Sequence, residues 1–188
     1  MKNLIVFVFS FFIFNSFSQT YEMYSDVWEY VSSDSKMIVP KGGGSFSVPS
    51  DDMLKQIDTN KINSYMLESF NKFRKDYGKL PVKESRELTL SSKSYAKCLV
   101  NEFKHDYNRS DKSTSEVIAT LSLIKLSNVD LSKYDINKVI ADCCFDAFVG
   151  SYGHMSILLD NNAKEFGFGI YNTGKSIKIC VRSFGYGL

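Results

Sequence analysis

The residues able to do chemistry in this chain are few. Its 188 residues hold only two histidines, His105 and His154, and Glu116 follows the first by eleven positions, across the polar stretch from Asp106 to Ser115. Two neutral imidazoles can ligate a divalent transition metal such as zinc, although a complete site takes a third or fourth ligand. A histidine beside a carboxylate can equally serve in general acid–base catalysis, with Glu116 as the candidate base. A histidine that hydrogen-bonds a helix end would account for each ring just as well. The four cysteines, Cys98, Cys143, Cys144 and Cys180, contain no CxxC pair, which leaves them poor metal ligands.

Several familiar arrangements are absent. The chain has no HExxH, no GxSxG, no GxGxxG and no phosphate-cradling glycine loop. Lys+Arg number 23 against 21 Asp+Glu, a net charge of +2, so no broad basic face exists for a nucleic-acid backbone. A charged fraction of 23% beside 44% hydrophobic residues also separates the chain from disordered tails.

Periodicity indicates the elements that must carry these residues. Asp58, Thr59 or Asn60 can cap a helix burying Ile62, Met66, Phe70 and Phe73, with Gly78 at its end. A second helix is expected over about Arg86 to Lys104, so His105 follows directly. The apolar stretch Ser115 to Leu126 is expected to be partly helical. A fourth helix, opened by Asp135 and closed near Gly150, is expected to bury Ile136, Val139, Ile140, Cys143, Ala147 and Phe148, and His154 comes just after it. The pattern then switches to period two. Phe166, Phe168 and Ile170 alternate with glycines that mark a close-packed strand, Asn172-Thr173-Gly174 turns the chain, and Ile177, Ile179 and Val181 return. Helices followed by antiparallel strands make an α+β domain.

The N-terminus reads as a signal for export. Lys2 precedes an apolar run from Leu4 to Phe14, and Ser16 and Ser18 supply small residues for cleavage. The run is shorter than the roughly 20 apolar residues that span a bilayer. The expected organisation is therefore a signal peptide over 1–18, a loop-rich segment over 19–57 holding Gly42-Gly43-Gly44, and the main domain over 58–188. The product would be secreted, extracellular or periplasmic, after cleavage near Ser18, and not an integral membrane protein. In that compartment an even number of cysteines reads as candidate disulfides. Cross-pairs from Cys143 and Cys144 to Cys98 and Cys180 are preferred over a strained vicinal bond.

Residues from about Met66 onward resemble the CAP superfamily, the SCP domains of cysteine-rich secretory, antigen 5 and pathogenesis-related 1 proteins. Asn71 and Arg74, then Gly78, Leu80 and Pro81, are similar to its opening helix motif; Ser115-Glu116-Val117-Ile118 resembles its Gly-Glu-Asn-Ile segment. Ser151-Tyr152-Gly153-His154 resembles its second histidine motif, and Phe166-Gly167-Phe168-Gly169 the strand that follows. The resemblance implies a three-layer α-β-α sandwich with a central antiparallel sheet. It also implies a cleft in which His105 and His154 hold zinc or another divalent metal beside Glu116. Phe148 stands for the family's usual tryptophan, Ser151 falls near its second cleft glutamate, and Val117 and Ile157 replace asparagines, so a less polar cleft is expected. The expected function is a binding or interaction module for a small-molecule, lipid or protein ligand, with no nucleic-acid role. A metal-assisted hydrolase, protease- or esterase-like, is the alternative.

Overall fold

The computed structural model describes residues 28–32, 37–40, 48–127 and 129–185. The expected signal peptide lies outside the described residues. Within the segment expected to be loop-rich, β1 (Trp28–Ser32) pairs antiparallel with β2 (Met37–Pro40), and a short helix, α1 (Asp51–Gln56), follows.

Helix α2 (Thr59–Asp76) begins where the capping residues put it, since the Asp58 carboxylate accepts from the Asn60 and Lys61 amides at 2.8 and 3.3 Å. Ile62, Met66, Phe70 and Phe73 face inward as their spacing requires. Gly78 ends the turn with φ +67°, a conformation that favours glycine. Helix α3 (Arg86–Cys98) stops one and a half turns earlier than its apolar spacing suggested, leaving Val100 and Phe103 exposed in the loop that leads to His105. Helix α4 (Ile136–Val149) is capped by Asp135, which accepts from the Asn137 amide at 2.9 Å. Cys144 rather than Cys143 takes the fully buried place on this helix, and Ala147 is exposed. Helix α5 (Tyr152–Leu158) follows after a short break and contains His154.

The stretch Ser115 to Leu126 is helical only in its last four residues. It forms strand β4 (Ser115–Ser122), followed by a single 3-10 turn, Leu123–Leu126. Both faces of β4 are covered where Val117 and Ile118 are buried side by side, so apolar residues fall at consecutive positions and the period-two signal is lost. With β3 (Lys83–Glu84), β5 (Ala163–Asn172) and β6 (Ser176–Gly185), it completes a sheet of order β3-β5-β6-β4. The three long strands are antiparallel, and the two-residue β3 adds a parallel edge on β5. The β5–β6 hairpin turns at the expected Asn172-Thr173-Gly174, with Gly174 at φ +80°.

Three layers result. On one face of the sheet, α2 and α4 bury Phe166, Phe168, Ile170, Ile177, Ile179 and Val181 in the main core. Phe70 sits at its centre, edge-on to the rings of Phe145, Phe148, Phe166 and Phe168 at 5.3–6.3 Å. On the other face α3 covers Ile118 and Cys180 with Ala96 and Leu99. The motif arginine Arg74 is 1% exposed and donates to the carbonyls of Leu80, Leu158 and Asp160 at 2.6–3.1 Å. Asn71 meets both backbone groups of Val82. These two side chains tie α2 to the strand entering the sheet and to the end of α5.

The expected disulfide cross-pairs are not formed; all four cysteines are free thiols. The sheet is the physical reason. Cys144 on α4 belongs to the main core, Cys180 on β6 lies beneath α3 on the opposite face, and Cys98 is exposed at the end of α3. Burial pushes the Cys144 thiol well above its ordinary value, and burial together with the nearby Glu116 carboxylate pushes Cys180 up to about 12. Both behave as small hydrophobes.

Candidate functional site

His105 and Glu116 meet. The loop after α3 is pinned by the Tyr95 hydroxyl, which donates to the Lys104 carbonyl at 2.7 Å, and it delivers His105 Nδ1 to 3.1 Å from Glu116 Oε1. The next residue adds a backbone bond, from the Asp106 amide to the same oxygen at 2.9 Å. Glu116 is the second residue of β4 and faces α3; the register of the sheet sets it opposite Arg182 of β6.

Arg182 is the residue that sequence reasoning missed. It is 3% exposed, and its guanidinium reaches three carboxylates. Nε and Nη2 lie 3.1 and 3.0 Å from Glu116 Oε2, Nη2 lies 2.7 Å from Asp106 Oδ2, and Nη1 lies 2.5 Å from Asp111 Oδ2. Its plane rests over the Tyr95 ring at 5.1 Å. Asp111 also accepts from the Ser91 hydroxyl at 2.5 Å and from the amide and hydroxyl of Ser113. Burial works against the Asp111 charge, but bonds from Ser113, Ser91 and Arg182 prevail and hold its carboxyl well below the usual range. Tyr95 moves the other way, up to about 12, through burial and the adjacent Glu116 and Asp106 charges. One sequence signal did exist. Arg182 sits on the same strand face as buried Cys180, where period two places an inward side chain.

His154 approaches from α5. Its ring is half-buried and meets Phe148 edge-on at 5.5 Å, and its Nδ1 is buried without a hydrogen-bond partner. Burial pushes its pKa below the ordinary 6.5, and the charge that His105 can carry adds to the shift. The structure thus joins His105 to Glu116 by a direct contact, and it sets His154 against Phe148 on α5.

The family model described as the Cysteine-rich secretory protein family, CAP, matches residues 67–184. The chain belongs to the CAP family. Among solved structures it is similar to an outer surface protein from Borrelia burgdorferi, with 14% identity over 69% of this chain and 97% of that one, at a TM-score of 0.47. It is also similar to an extracellular protein containing an SCP domain from Bacillus anthracis, with 14% identity over 78% of this chain and 46% of that one, at 0.48. A cysteine-rich secretory protein from Staphylococcus aureus gives 16% identity over 86% of this chain and 48% of that one, at 0.49. This chain therefore spans about half the length of the latter two proteins. Comparison with curated proteins returned no match.

The departures from the CAP pattern now have a physical setting. Phe148 is fully buried and packs against the second histidine with an apolar edge that offers no donor. Ser151 caps α5 through its backbone carbonyl, which accepts from Met155 at 2.8 Å, with no side-chain capping bond. Polarity is concentrated instead behind His105, where Arg182 gathers Asp106, Asp111 and Glu116. Among the described residues no group of three or more His, Cys, Asp or Glu side chains is arranged to hold a metal ion. Among them, too, no helix is long and apolar enough to cross a membrane.

Proposed function

We propose that this CAP protein is an exported binding module whose ligand contacts the imidazoles of His105 and His154, with zinc or another divalent cation as a bridging ion. The observation that carries the reading is an imidazole backed by a carboxylate together with a second imidazole whose buried nitrogen lacks a partner. His105 turns Nδ1 toward Glu116, so that a ligand would meet Nε2, while His154 Nδ1 is buried without a partner. A carboxylate behind a histidine is the usual support for a ligating imidazole. The donor set fits two-nitrogen ligation, with the remaining positions left to solvent or to an oxygen of the ligand. A bound cation would supply a positive centre for such an oxygen.

A hydrolase is less well supported. A general base needs a free lone pair aimed at its water. Glu116 already faces His105 and accepts from the Asp106 amide, Arg182 and the Cys180 thiol, the last at 3.7 Å. Small-molecule, lipid and protein ligands all remain compatible with the module.

Calorimetric titration of the mature chain with zinc chloride tests the reading. The expected result is one binding event, lost in both His105→Ala and His154→Ala. No heat in the parent protein, or undiminished heat in both variants, overturns it. Export rests on the sequence of residues 1–18. Mass spectrometry of protein recovered outside the membrane is expected to give Gln19 as the first residue, and an intact Met1 start sinks that part.

A further inference from the structure

We infer that Arg182 is the positioning residue for His105: by clamping the Glu116 carboxylate it fixes the imidazole as the Nδ1–H tautomer and leaves Nε2 as the nitrogen open to a ligand. The inference bears on binding only through the imidazole reading above, but it stands on hydrogen bonds alone and its test needs no metal.

A carboxylate offers about four acceptor sites and, when ionised, no donor. Oε1 of Glu116 receives the Asp106 amide at 2.9 Å and faces His105 Nδ1 at 3.1 Å. Oε2 receives Arg182 Nε at 3.1 Å, Nη2 at 3.0 Å and the Cys180 thiol at 3.7 Å. A proton on Oε2 would displace one of these donors, and a proton on Oε1 would remove the negative charge that the Arg182 guanidinium pairs with. Nδ1 must therefore bring the hydrogen, although an imidazole side chain free in water favours hydrogen on Nε2.

Arg182 cannot turn away from this task. Asp106 and Asp111 hold its two Nη atoms, and the Tyr95 ring closes one face of the guanidinium. Asp106 acts twice, because its amide anchors Glu116 and its carboxylate anchors Arg182, and it directly follows His105 in the chain. A planar fork is required to serve three carboxylates at once. A lysine carries its three donors on one nitrogen and cannot reproduce the span from Nε to Nη1 and Nη2.

Histidine tautomers are read directly from long-range proton–nitrogen NMR spectra of uniformly labelled protein, at a pH where the rings are neutral. Two histidines make assignment simple, with His154→Ala identifying the His105 signals. In the parent protein His105 is expected as the Nδ1–H form. In Arg182→Lys, provided its amide spectrum stays native-like, the Nδ1–H to Nε2–H ratio is expected to fall about tenfold, the equilibrium counterpart of one weakened charge-assisted hydrogen bond. Should Arg182→Lys fail to fold, Asp111→Asn replaces it, since it frees Nη1 while keeping Arg182, and a fall in the same ratio is expected. An Nε2–H form in the parent protein, or an unchanged ratio in whichever of the two variants is folded, overturns the inference. Loss of zinc heat with the tautomer intact would instead count only against ligation.

Discussion

Gly169→Ala is expected to destabilise the protein by about 3 kcal/mol or more, at the upper end of what overpacking a core costs. Helix α3 lies on β5 with backbone against backbone. A Cβ on Gly169 would stand 2.0 Å from the carbonyl carbon of Ser92, 2.1 Å from its oxygen and 2.4 Å from the Lys93 nitrogen. Gly167 is as tight, at 2.2 Å from the Leu88 carbonyl carbon and 2.3 Å from the Thr89 nitrogen. None of these atoms belongs to a side chain that can rotate, so the helix must lift as a unit. Lifting it would open the packing of Leu88, Ala96 and Leu99 and withdraw Ser91 and Tyr95 from Asp111 and Arg182. Gly153→Ala is the control. It sits in α5 with nothing within 4 Å of an added Cβ, and is expected to change stability by less than about 1 kcal/mol. Urea titration followed by circular dichroism reads both variants against the parent. A midpoint for Gly169→Ala within error of the parent would refute the close-packing account.

This contact was legible in advance because alternation exposed it: glycine at every second position between Phe166, Phe168 and Ile170 leaves one strand face without side chains. The α2 and α4 helices were legible for a similar reason, each combining a capping aspartate with apolar residues at helical spacing. Strand β4 was not, because neighbours Val117 and Ile118 are buried on opposite faces and erase the period that distinguishes strand from helix. Cysteine number was visible but position was not, and only the sheet shows that Cys144 and Cys180 are kept apart. The site divides in the same way. His105 and Glu116 are eleven residues apart, and both were named from motif and type. Arg182 meets Glu116, Asp111 and Asp106 across separations of 66, 71 and 76 residues, a relation that exists only after β4 and β6 pair. No local pattern can announce such a cluster, because its logic is charge balance between distant segments.

That balance governs the second large effect. Arg182→Met is expected to cost about 3–5 kcal/mol at neutral pH, the usual result of removing one partner from a buried ionic group. The single guanidinium faces Asp106, Asp111 and Glu116, and the Asp111 and Glu116 side chains are only 7% and 1% exposed. The sign of the pH dependence makes the test specific. In the parent protein the Asp111 carboxyl is held below its ordinary 3.8. Its contribution is therefore complete above that value and is lost as the pH falls through the folded-state value, so acid destabilises the native state here. In Arg182→Met the Asp111 carboxyl keeps its burial and loses the guanidinium that helps hold its value down, so that value rises. Protons then bind the folded variant more tightly than the folded parent, and acidification costs the variant less. The loss caused by the substitution should accordingly be largest near pH 7 and shrink toward about pH 4.5, measured as the difference in urea midpoint between parent and variant. A loss below about 1 kcal/mol would place Arg182 among surface-type ion pairs, and a loss independent of pH would mean that packing rather than charge dominates. A shrinking loss would make Arg182 the counter-ion on which the ionised state of the whole cluster, and with it the acceptor that faces His105, depends.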